Sequence, residues 1–277
     1  MRQLFLQLSI FLSINLFAYT DSDFDGVVDS VDRCPNTPFS ELVDISGCTT
    51  KSLISPHHYD IIVGASYSDS DYQTLNQTDT LSSTIQVDYY YKNFSLQAST
   101  SYFNTSGDEF SDNGFYDSYL GTSYQFKPLD SLTLRVGAGV LLPTYETSLN
   151  NNNTDYVGSL NLSYNLDDVS LFGGYSYTVI NDDDVVLTDG VTTTEIVYED
   201  SVAYSAGVGY YFTSTIYVSG SYNVSSSIYS GIEDIQTASV YGYYSIDRNW
   251  FSTLSYAKGI SDSASKNYLS LRLGYFF

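Results

Sequence analysis

The last ten residues of the chain place the tightest constraint on its fold. The segment Tyr268–Phe277 reads Y-L-S-L-R-L-G-Y-F-F, in which every second position from Leu269 onward is apolar or aromatic. The intervening positions include Ser270, Arg272 and Gly274. Because successive side chains of a strand point to opposite faces, this segment predicts a β-strand with one apolar and one polar face. About ten residues are enough for a tilted strand to cross a bilayer.

This ending resembles the last strand of a bacterial outer-membrane β-barrel, a family whose chains usually end in an aromatic residue, commonly Phe. The resemblance implies that Phe277 is an assembly signal read by the barrel assembly machinery. It also implies that the protein lies in the bacterial outer membrane, in contact with lipid and lipopolysaccharide.

The composition agrees with a protein built from strands. The chain contains 29 Tyr and 19 Gly, and its mean hydropathy is −0.12. No apolar run is long enough for a membrane-spanning helix, whereas the alternating strands of a barrel dilute their apolar residues. The net charge of −22 argues against a nucleic-acid partner, which would require a basic surface.

Residues 1–18 are predicted to be a signal peptide. Arg2 provides a positive start, an apolar run extends through Phe17, and Ala18 is a suitable cleavage position. The alternative is a retained N-terminal helix. No cysteine occupies the position that a lipoprotein would use, so we do not predict a lipid anchor. Secretion places the two cysteines of the chain in an oxidising compartment.

The acidic segment after residue 18 has the spacing of a calcium-binding loop. With Asp21 as position 1 of twelve, Gly26 occupies position 6, where the loop must turn sharply. The predicted ligands are Asp21, Asp23, Asp25, Val27 through its backbone carbonyl, Asp29 and Asp32. A hard cation requires about six to eight oxygen ligands, and carboxylates this close would repel one another without one. The alternative is a solvated acidic linker.

The stretch Asp21–Cys48 resembles a thrombospondin type 3 repeat of the form found in bacterial envelope proteins. That family binds calcium through such loops and pairs its cysteines, so the resemblance implies a Cys34–Cys48 disulfide and a structural Ca²⁺. Extracellular modules bind calcium weakly, with dissociation constants of roughly 10⁻⁴ to 10⁻³ M. The module at 19–48 is too small to fold on its core alone, so a metal and a disulfide suit it. Residues 49–58 are predicted to be a linker.

From Tyr59 onward the sequence predicts an all-β, transmembrane, antiparallel up-and-down barrel of about 12 strands over residues 59–277. The alternating segments lie at 59–68, 82–92, 94–103, 114–126, 131–142, 156–166, 168–179, 201–212, 215–225, 234–246, 249–258 and 267–277. Tight connections alternate with long polar ones, as periplasmic turns and outer loops do in such barrels. An even strand number places both termini, and the N-terminal module, in the periplasm. A soluble β-sandwich is the alternative.

Parity along the strands predicts which side chains face the lipid. In the segment 131–142, Leu132, Leu134 and Val136 share the outer face. The inner positions carry mainly Ser, Gly, Asn, Gln and Thr. The predicted inner charges are Asp88, Asp117, Arg135 and Arg272, which would form either a selectivity ring or an ion pair with a structural role. The face of the segment 234–246 stays open.

Acidic residues are frequent in the long connections, as in Asp182–Asp184. They predict a solvated surface, or a surface that attracts cations to the mouth and bridges lipopolysaccharide through divalent ions. The two histidines, His57 and His58, both lie in the predicted linker. The known barrel enzymes rely on a histidine in the barrel or its loops, so we do not predict an enzyme. A metal site at the two histidines is a weaker alternative.

These observations together predict a passive, porin-like channel for small solutes with a structural calcium module. The competing hypothesis is a structural or adhesive surface protein with a closed lumen, whose acidic outer loops contact a partner. The sequence names neither a solute nor an oligomeric state.

Overall fold

The computed structural model describes residues 23, 27–37, 41–52, 56–70, 77–107, 111–146, 151–188 and 193–277. The chain divides into two compact units between Pro56 and His57. The predicted signal peptide at 1–18 lies outside the described residues, as do Asp21 and Asp25. No helix in the described ranges is long and apolar enough to span a membrane.

Strands account for nearly all the regular structure of the described residues. They are β1 (Glu41–Val43), β2 (Thr49–Ser52), β3 (His57–Ser70), β4 (Thr78–Tyr91), β5 (Phe94–Gly107), β6 (Ser111–Phe115), β7 (Ser118–Leu129), β8 (Leu132–Leu142), β9 (Asp155–Leu166), β10 (Val169–Val179), β11 (Val185–Thr188), β12 (Thr193–Ile196), β13 (Ser201–Tyr211), β14 (Ile216–Ser225), β15 (Ile235–Ser245), β16 (Trp250–Gly259) and β17 (Asn267–Phe276).

The N-terminal unit is a small hairpin closed by a disulfide. Strands β1 and β2 pair antiparallel. Cys34 and Cys48 are bonded, with their Cα atoms 5.0 Å apart, so the predicted disulfide is confirmed. The buried Thr37 hydroxyl lies 2.8 Å from the carbonyl oxygens of both Cys34 and Gly47. The disulfide and this hydroxyl hold the two halves of the unit together.

The second unit is a closed antiparallel barrel. Strands adjacent in the barrel are hydrogen-bonded in sequence order from β3 to β17, and β17 pairs with β3 to close the ring. The last pair of the seam joins Phe277 to Tyr59: the Tyr59 N–H donates to the Phe277 carbonyl oxygen at 2.8 Å, and the Phe277 N–H donates to the Tyr59 carbonyl oxygen at 2.9 Å. The predicted barrel of 12 strands is confirmed, and the last strand of the chain completes it.

The fourth predicted strand is interrupted, which the sequence did not reveal. Strand β6 pairs with the second half of β5 and β7 with the first half, and the register shifts by one residue between them. Phe115 lies opposite Tyr102, whereas Tyr119 lies opposite Ser99. This is the effect of a β-bulge, which places one extra residue in one strand and reverses the side-chain parity beyond it.

The connections differ in length at the two ends of the barrel. At one end, which we call the turn end, β4 joins β5 through Lys92–Asn93 and β9 joins β10 through Asp167–Asp168. Lys92 and Asp167 have φ values of 54° and 51°, as two-residue hairpin turns require of a central residue. The long connections lie at the other end, the loop end, where the longest contains the hairpin of β11 and β12. The predicted alternation of short and long connections is present.

The barrel has its apolar side chains on the outside. Among the described residues only Phe103, Val224 and Ala264 are buried apolar side chains. Outward residues such as Leu271 and Val240 are 59% and 54% exposed. An apolar surface of this extent around the strands requires lipid rather than water as its surroundings. The exposure of Val240 also settles the face of β15, whose Tyr241 and Tyr243 instead line inner cavities.

Outward aromatic rings gather at the turn end. Trp250 packs edge-on against Tyr275 with ring centroids 4.9 Å apart, and Tyr210 packs against Phe212 in the same way. Amphipathic rings favour the boundary between hydrocarbon and water. The turn end therefore carries the aromatic girdle of one membrane interface.

Trp250 is the one tryptophan of the chain and reports on this placement directly. In refolded protein, lipids brominated near the headgroup should quench its fluorescence more strongly than lipids brominated near the bilayer centre, because the ring lies at the interface. The matched control carries Trp250→Phe and Val240→Trp, which moves the probe to mid-strand on the same outer face and should reverse the order. Fluorescence that neither lipid quenches would contradict the outward placement of Trp250.

Candidate functional site

The barrel encloses a series of adjoining cavities lined by polar and aromatic side chains, which we call the lumen. Four of its cavities have volumes of 410, 320, 460 and 400 Å³. The first and second share Ser159 and Asn161, and the second and third share Asp88 and Tyr90. The third and fourth share Tyr241. Each cavity thus borders the next along the inner wall.

Two acids face the lumen near the turn end. Asp60 of β3 and Asp88 of β4 are direct partners in the strand register. Asp88 is only 6% exposed, and the Gln86 side-chain amide donates to its Oδ2 at 2.7 Å. Tyr90 borders the same cavity as both acids. Two carboxyl groups are thereby held side by side on one part of the wall.

Two arginines balance these acids. The Arg272 stem crosses β3 at Gly64, where a Cβ atom would stand 2.7 Å from its Cγ. Its Nη1 donates to Gln86 Oε1 at 3.4 Å. Arg135 of β8 donates from Nη2 to Gln125 Oε1 at 3.1 Å. Both guanidinium groups act electrostatically on Asp88. We call Asp60, Asp88, Arg135 and Arg272 the charged cluster; its formal charges cancel.

The structure places the predicted inner charges in two regions. Asp88, Arg135 and Arg272 line lumen cavities. Asp117 lies in the break between β6 and β7, where its Oδ1 accepts from the Tyr145 N–H at 3.0 Å and from Asn152 Nδ2 at 2.8 Å. The predicted lumen position of Asp117 stays a prediction. Asp60 was missed, although the outward Tyr59 and Ile61 on either side of it signal an inner position.

Inner aromatic rings lie along the wall and over glycines of the neighbouring strand. A Cβ atom at Gly207 would stand 2.3 Å from the Phe172 ring, and one at Gly209 would stand 2.0 Å from the Tyr217 hydroxyl oxygen. Phe251 covers Gly274 in the same way, at 2.1 Å. Because glycine has no side chain, each ring can lie flat over the neighbouring strand instead of projecting into the lumen. Glycine at these inner positions therefore keeps the lumen wide.

At the loop end, carboxylates link neighbouring loops by accepting hydrogen bonds from them. Asp182 Oδ1 accepts from the Asn153 N–H at 2.8 Å, and Asp184 Oδ1 accepts from the Tyr198 N–H at 2.9 Å. Asn151, which is 5% exposed, donates from its side-chain amide to the Tyr198 hydroxyl oxygen at 3.0 Å. The acidic loops are therefore more than a solvated surface, because their carboxylates accept hydrogen bonds from backbone N–H groups of neighbouring loop segments.

The predicted calcium loop is described only in part. Asp23 Oδ2 accepts from the Thr37 N–H at 2.7 Å, and Asp32 Oδ1 accepts from the Cys34 N–H at 2.8 Å. Val27 and Asp29 are also described. Within the described ranges, no three His, Cys, Asp or Glu side chains converge as metal ligands would. The predicted ligand set includes two residues outside those ranges, so it stays a prediction.

The histidines lie at the turn end among aromatic residues. His57 Nδ1 lies 2.7 Å from the Tyr89 hydroxyl oxygen. The His58 ring stacks on Phe276 with centroids 5.1 Å apart. These contacts give both rings aromatic packing partners on adjacent strands.

Comparison with known proteins shows the fold and leaves the family open. No family model matches the chain. An alpha-agarase of Alteromonas agarilytica is 53% identical over 36 residues, which are 13% of this chain and 2% of the agarase. The chain thus spans about 2% of that curated relative. An outer-membrane channel of Pseudomonas putida F1 superposes with a TM-score of 0.65 at 10% identity, covering 81% of this chain and 97% of the channel.

A second solved structure, the NanC porin, matches 77% of this chain and 97% of its own, with 14% identity and a TM-score of 0.48. That score is too low to carry an argument. The likeness to the Pseudomonas channel shows that the chain has the barrel fold of a bacterial outer-membrane protein. The fold alone does not assign an activity.

Asp200 provides a test of the loop-end contacts. Hydrogen bonds from the Tyr177 hydroxyl and the Ile180 N–H lower the pKa of its carboxyl below the ordinary range. A lowered carboxyl pKa contributes stability above the unfolded value of about 3.9, which is lost as the pH falls through the folded pKa. Protection of the Ile180 amide from hydrogen exchange, corrected for intrinsic rates, should therefore decrease on acidification below that range.

Asp200→Asn should reduce this protection at neutral pH and remove most of its pH dependence. Asp168→Asn, at the opposite end of the barrel, is the matched control and should leave Ile180 unchanged. If Asp200→Asn exchanges like the wild type at both pH values, the carboxylate does not hold this loop.

Proposed function

We propose that the protein is a passive outer-membrane channel for small solutes. The observation that supports this is the series of cavities that adjoin one another inside a closed barrel with an apolar exterior. A protein that only anchored its loops in the membrane would gain nothing from adjoining inner cavities lined by charged side chains of both signs. The shared fold with an outer-membrane channel is consistent with the proposal.

Solutes would cross by diffusion along a wall of hydroxyl, amide and aromatic side chains. The charged cluster would act as the selective region, because charges within a narrow, low-dielectric wall act more strongly than charges in water. The acidic loop end would raise the local concentration of cations at the mouth and lower that of anions. The channel should thus favour cations and neutral solutes.

The proposed orientation rests on the two ends of the barrel. Short turns and both termini of the barrel would face the periplasm, together with the calcium module, and the loop end would face the exterior and lipopolysaccharide. The barrel assembly machinery would recognise the seam strand β17 and Phe277. Lipid at the girdle and small solutes in the lumen are the partners that this role requires.

The decisive experiment is single-channel recording of purified, refolded protein in a planar bilayer. We expect steady openings with a preference for K⁺ over Cl⁻. Asp60→Asn with Asp88→Asn should reduce this preference roughly tenfold, since two negative charges on the lumen wall are worth at least about 1.4 kcal/mol between ions of opposite sign. Arg135→Gln with Arg272→Gln should increase it.

Asp130→Asn, in a turn outside the lumen, is the control and should behave as the wild type. Silence at all voltages in protein shown to be folded would overturn the channel proposal. A sealed lumen would instead favour an anchoring or surface-contact role for the barrel.

We also propose that the N-terminal unit binds one structural Ca²⁺ through Asp21, Asp23, Asp25, Val27, Asp29 and Asp32. The acid spacing and the small size of the unit support this. Millimolar calcium should slow proteolysis of residues 19–48 in the wild type, because ligand binding to the folded state opposes unfolding. Asp23→Asn with Asp25→Asn should abolish the effect with the disulfide intact, while Asp130→Asn should retain it. Equal cleavage of the wild type with and without calcium would refute the proposal.

A further inference from the structure

Aromatic rings form two neighbouring groups on one side of the lumen near the turn end, one ending at Tyr241 and the other beginning at Tyr243. The two groups cross β13 to β16, and their members are Tyr211, Tyr217, Tyr241, Tyr243 and Phe251. Tyr211 and Tyr217 lie 4.6 Å apart between ring centroids, and Tyr217 and Tyr241 lie 6.5 Å apart. Tyr243 stacks on Phe251 at 5.7 Å with an interplanar angle of 28°. We call these five residues the ring arc.

The ring arc is set back against the wall and retains accessible surface. Tyr217 and Phe251 cover Gly209 and Gly274, so they lie across neighbouring strands. Tyr241 and Tyr243 line the third cavity and are partly exposed to it. An exposed ring surface in a polar lumen is costly in water, and an apolar solute face would remove that cost.

Hydrogen-bonding groups line the same cavity. The third cavity, of 460 Å³, is bordered by Tyr241, Tyr243 and Phe251 of the ring arc and also by Asp60, Asp88 and Tyr90. Its volume falls within the roughly 300–1,000 Å³ typical of ligand pockets, which combine aromatic walls with a few placed polar groups. The second cavity, which shares Asp88 and Tyr90, adds amides and the Arg135 guanidinium.

These groups fit one chemical class of solute. A neutral sugar ring has an apolar face of C–H groups, which can stack on an aromatic side chain. It also has a rim of hydroxyl groups, which can hydrogen-bond to carboxylates, amides and a guanidinium group. The formal charges of the charged cluster sum to zero, so a neutral solute meets no net charge there. An anionic solute would first have to pass the acidic loop end, and an inorganic cation would gain little from the rings.

We infer that the third cavity is a binding site for neutral saccharides in transit, with Tyr241, Tyr243 and Phe251 of the ring arc as its stacking surface. This inference rests on the proposed channel function and adds the class of solute. Packing over glycines explains why the rings are set back, but it does not require them to share a cavity with Asp60 and Asp88. A stacking surface beside hydrogen-bonding groups does require that arrangement.

The test adds a neutral glucose hexasaccharide to the open channel and measures the frequency and duration of current blockades. We expect blockades that saturate with concentration in the wild type. Tyr241→Ala with Phe251→Ala should weaken the apparent affinity at least tenfold, whereas Tyr241→Phe should retain it. Tyr244→Ala, on the lipid face of the same strand, is the matched control. Heat-modifiable migration on a denaturing gel verifies that each variant is folded.

A polyethylene glycol of the same hydrodynamic size separates binding from simple occupancy. If it blocks the current for as long as the hexasaccharide does, the inference is overturned. A channel that conducts without saccharide blockades also overturns it, while the proposed function stands. If the folded protein does not conduct, saturation-transfer NMR with the same saccharide decides the matter. A signal that Tyr241→Ala with Phe251→Ala removes would retain the site without the channel, and no signal would overturn both.

Discussion

Hydrogen bonding of the backbone within lipid is the constraint on which the rest of the structure depends. A strand in hydrocarbon has no water to satisfy its N–H and C=O groups, so the sheet must close without an edge. Closure here rests on the pairing of β17 with β3, which ends at the reciprocal bonds between Tyr59 and Phe277. Every inner side chain takes its position from that register, because a slip of one residue would exchange the inner and outer faces.

Closure also decides what the interior contains. The outward positions hold most of the apolar residues, so the inner wall combines polar groups with aromatic rings, and few apolar side chains of the described residues are buried. Glycines at inner positions then become functional, since they let Arg272 and rings such as Phe251 lie against the wall. The charged cluster is assembled from β3, β4, β8 and β17, which meet around the lumen only when the ring is complete. The lumen width and the selectivity that we propose both depend on the same closed register.

The two ends of the barrel use polar residues differently. At the turn end the connections are too short to do more than reverse the chain, and the girdle rings hold that rim at the interface. At the loop end long connections would cost conformational entropy if each were independent. Carboxylates such as Asp182 and Asp184 bond to backbone groups of neighbouring segments and so share that cost among several loops. The acidity of the loops therefore has a structural role beside its electrostatic one.

The alternation of apolar and polar residues along a single strand is a local property of the sequence. The sequence by itself therefore determined the features that depend only on this alternation. Those features are the class of fold, the twelve strands, the order of short and long connections and the inner position of Asp88. The tertiary structure decided the features that depend on register between strands. The one-residue shift between β6 and β7 is one such feature. Another is the cross-strand pairing that placed Asp60 beside Asp88. The packing of aromatic rings over glycines also depends on register between strands. The position of a residue in its own strand does not determine which residue lies opposite it in the neighbouring strand.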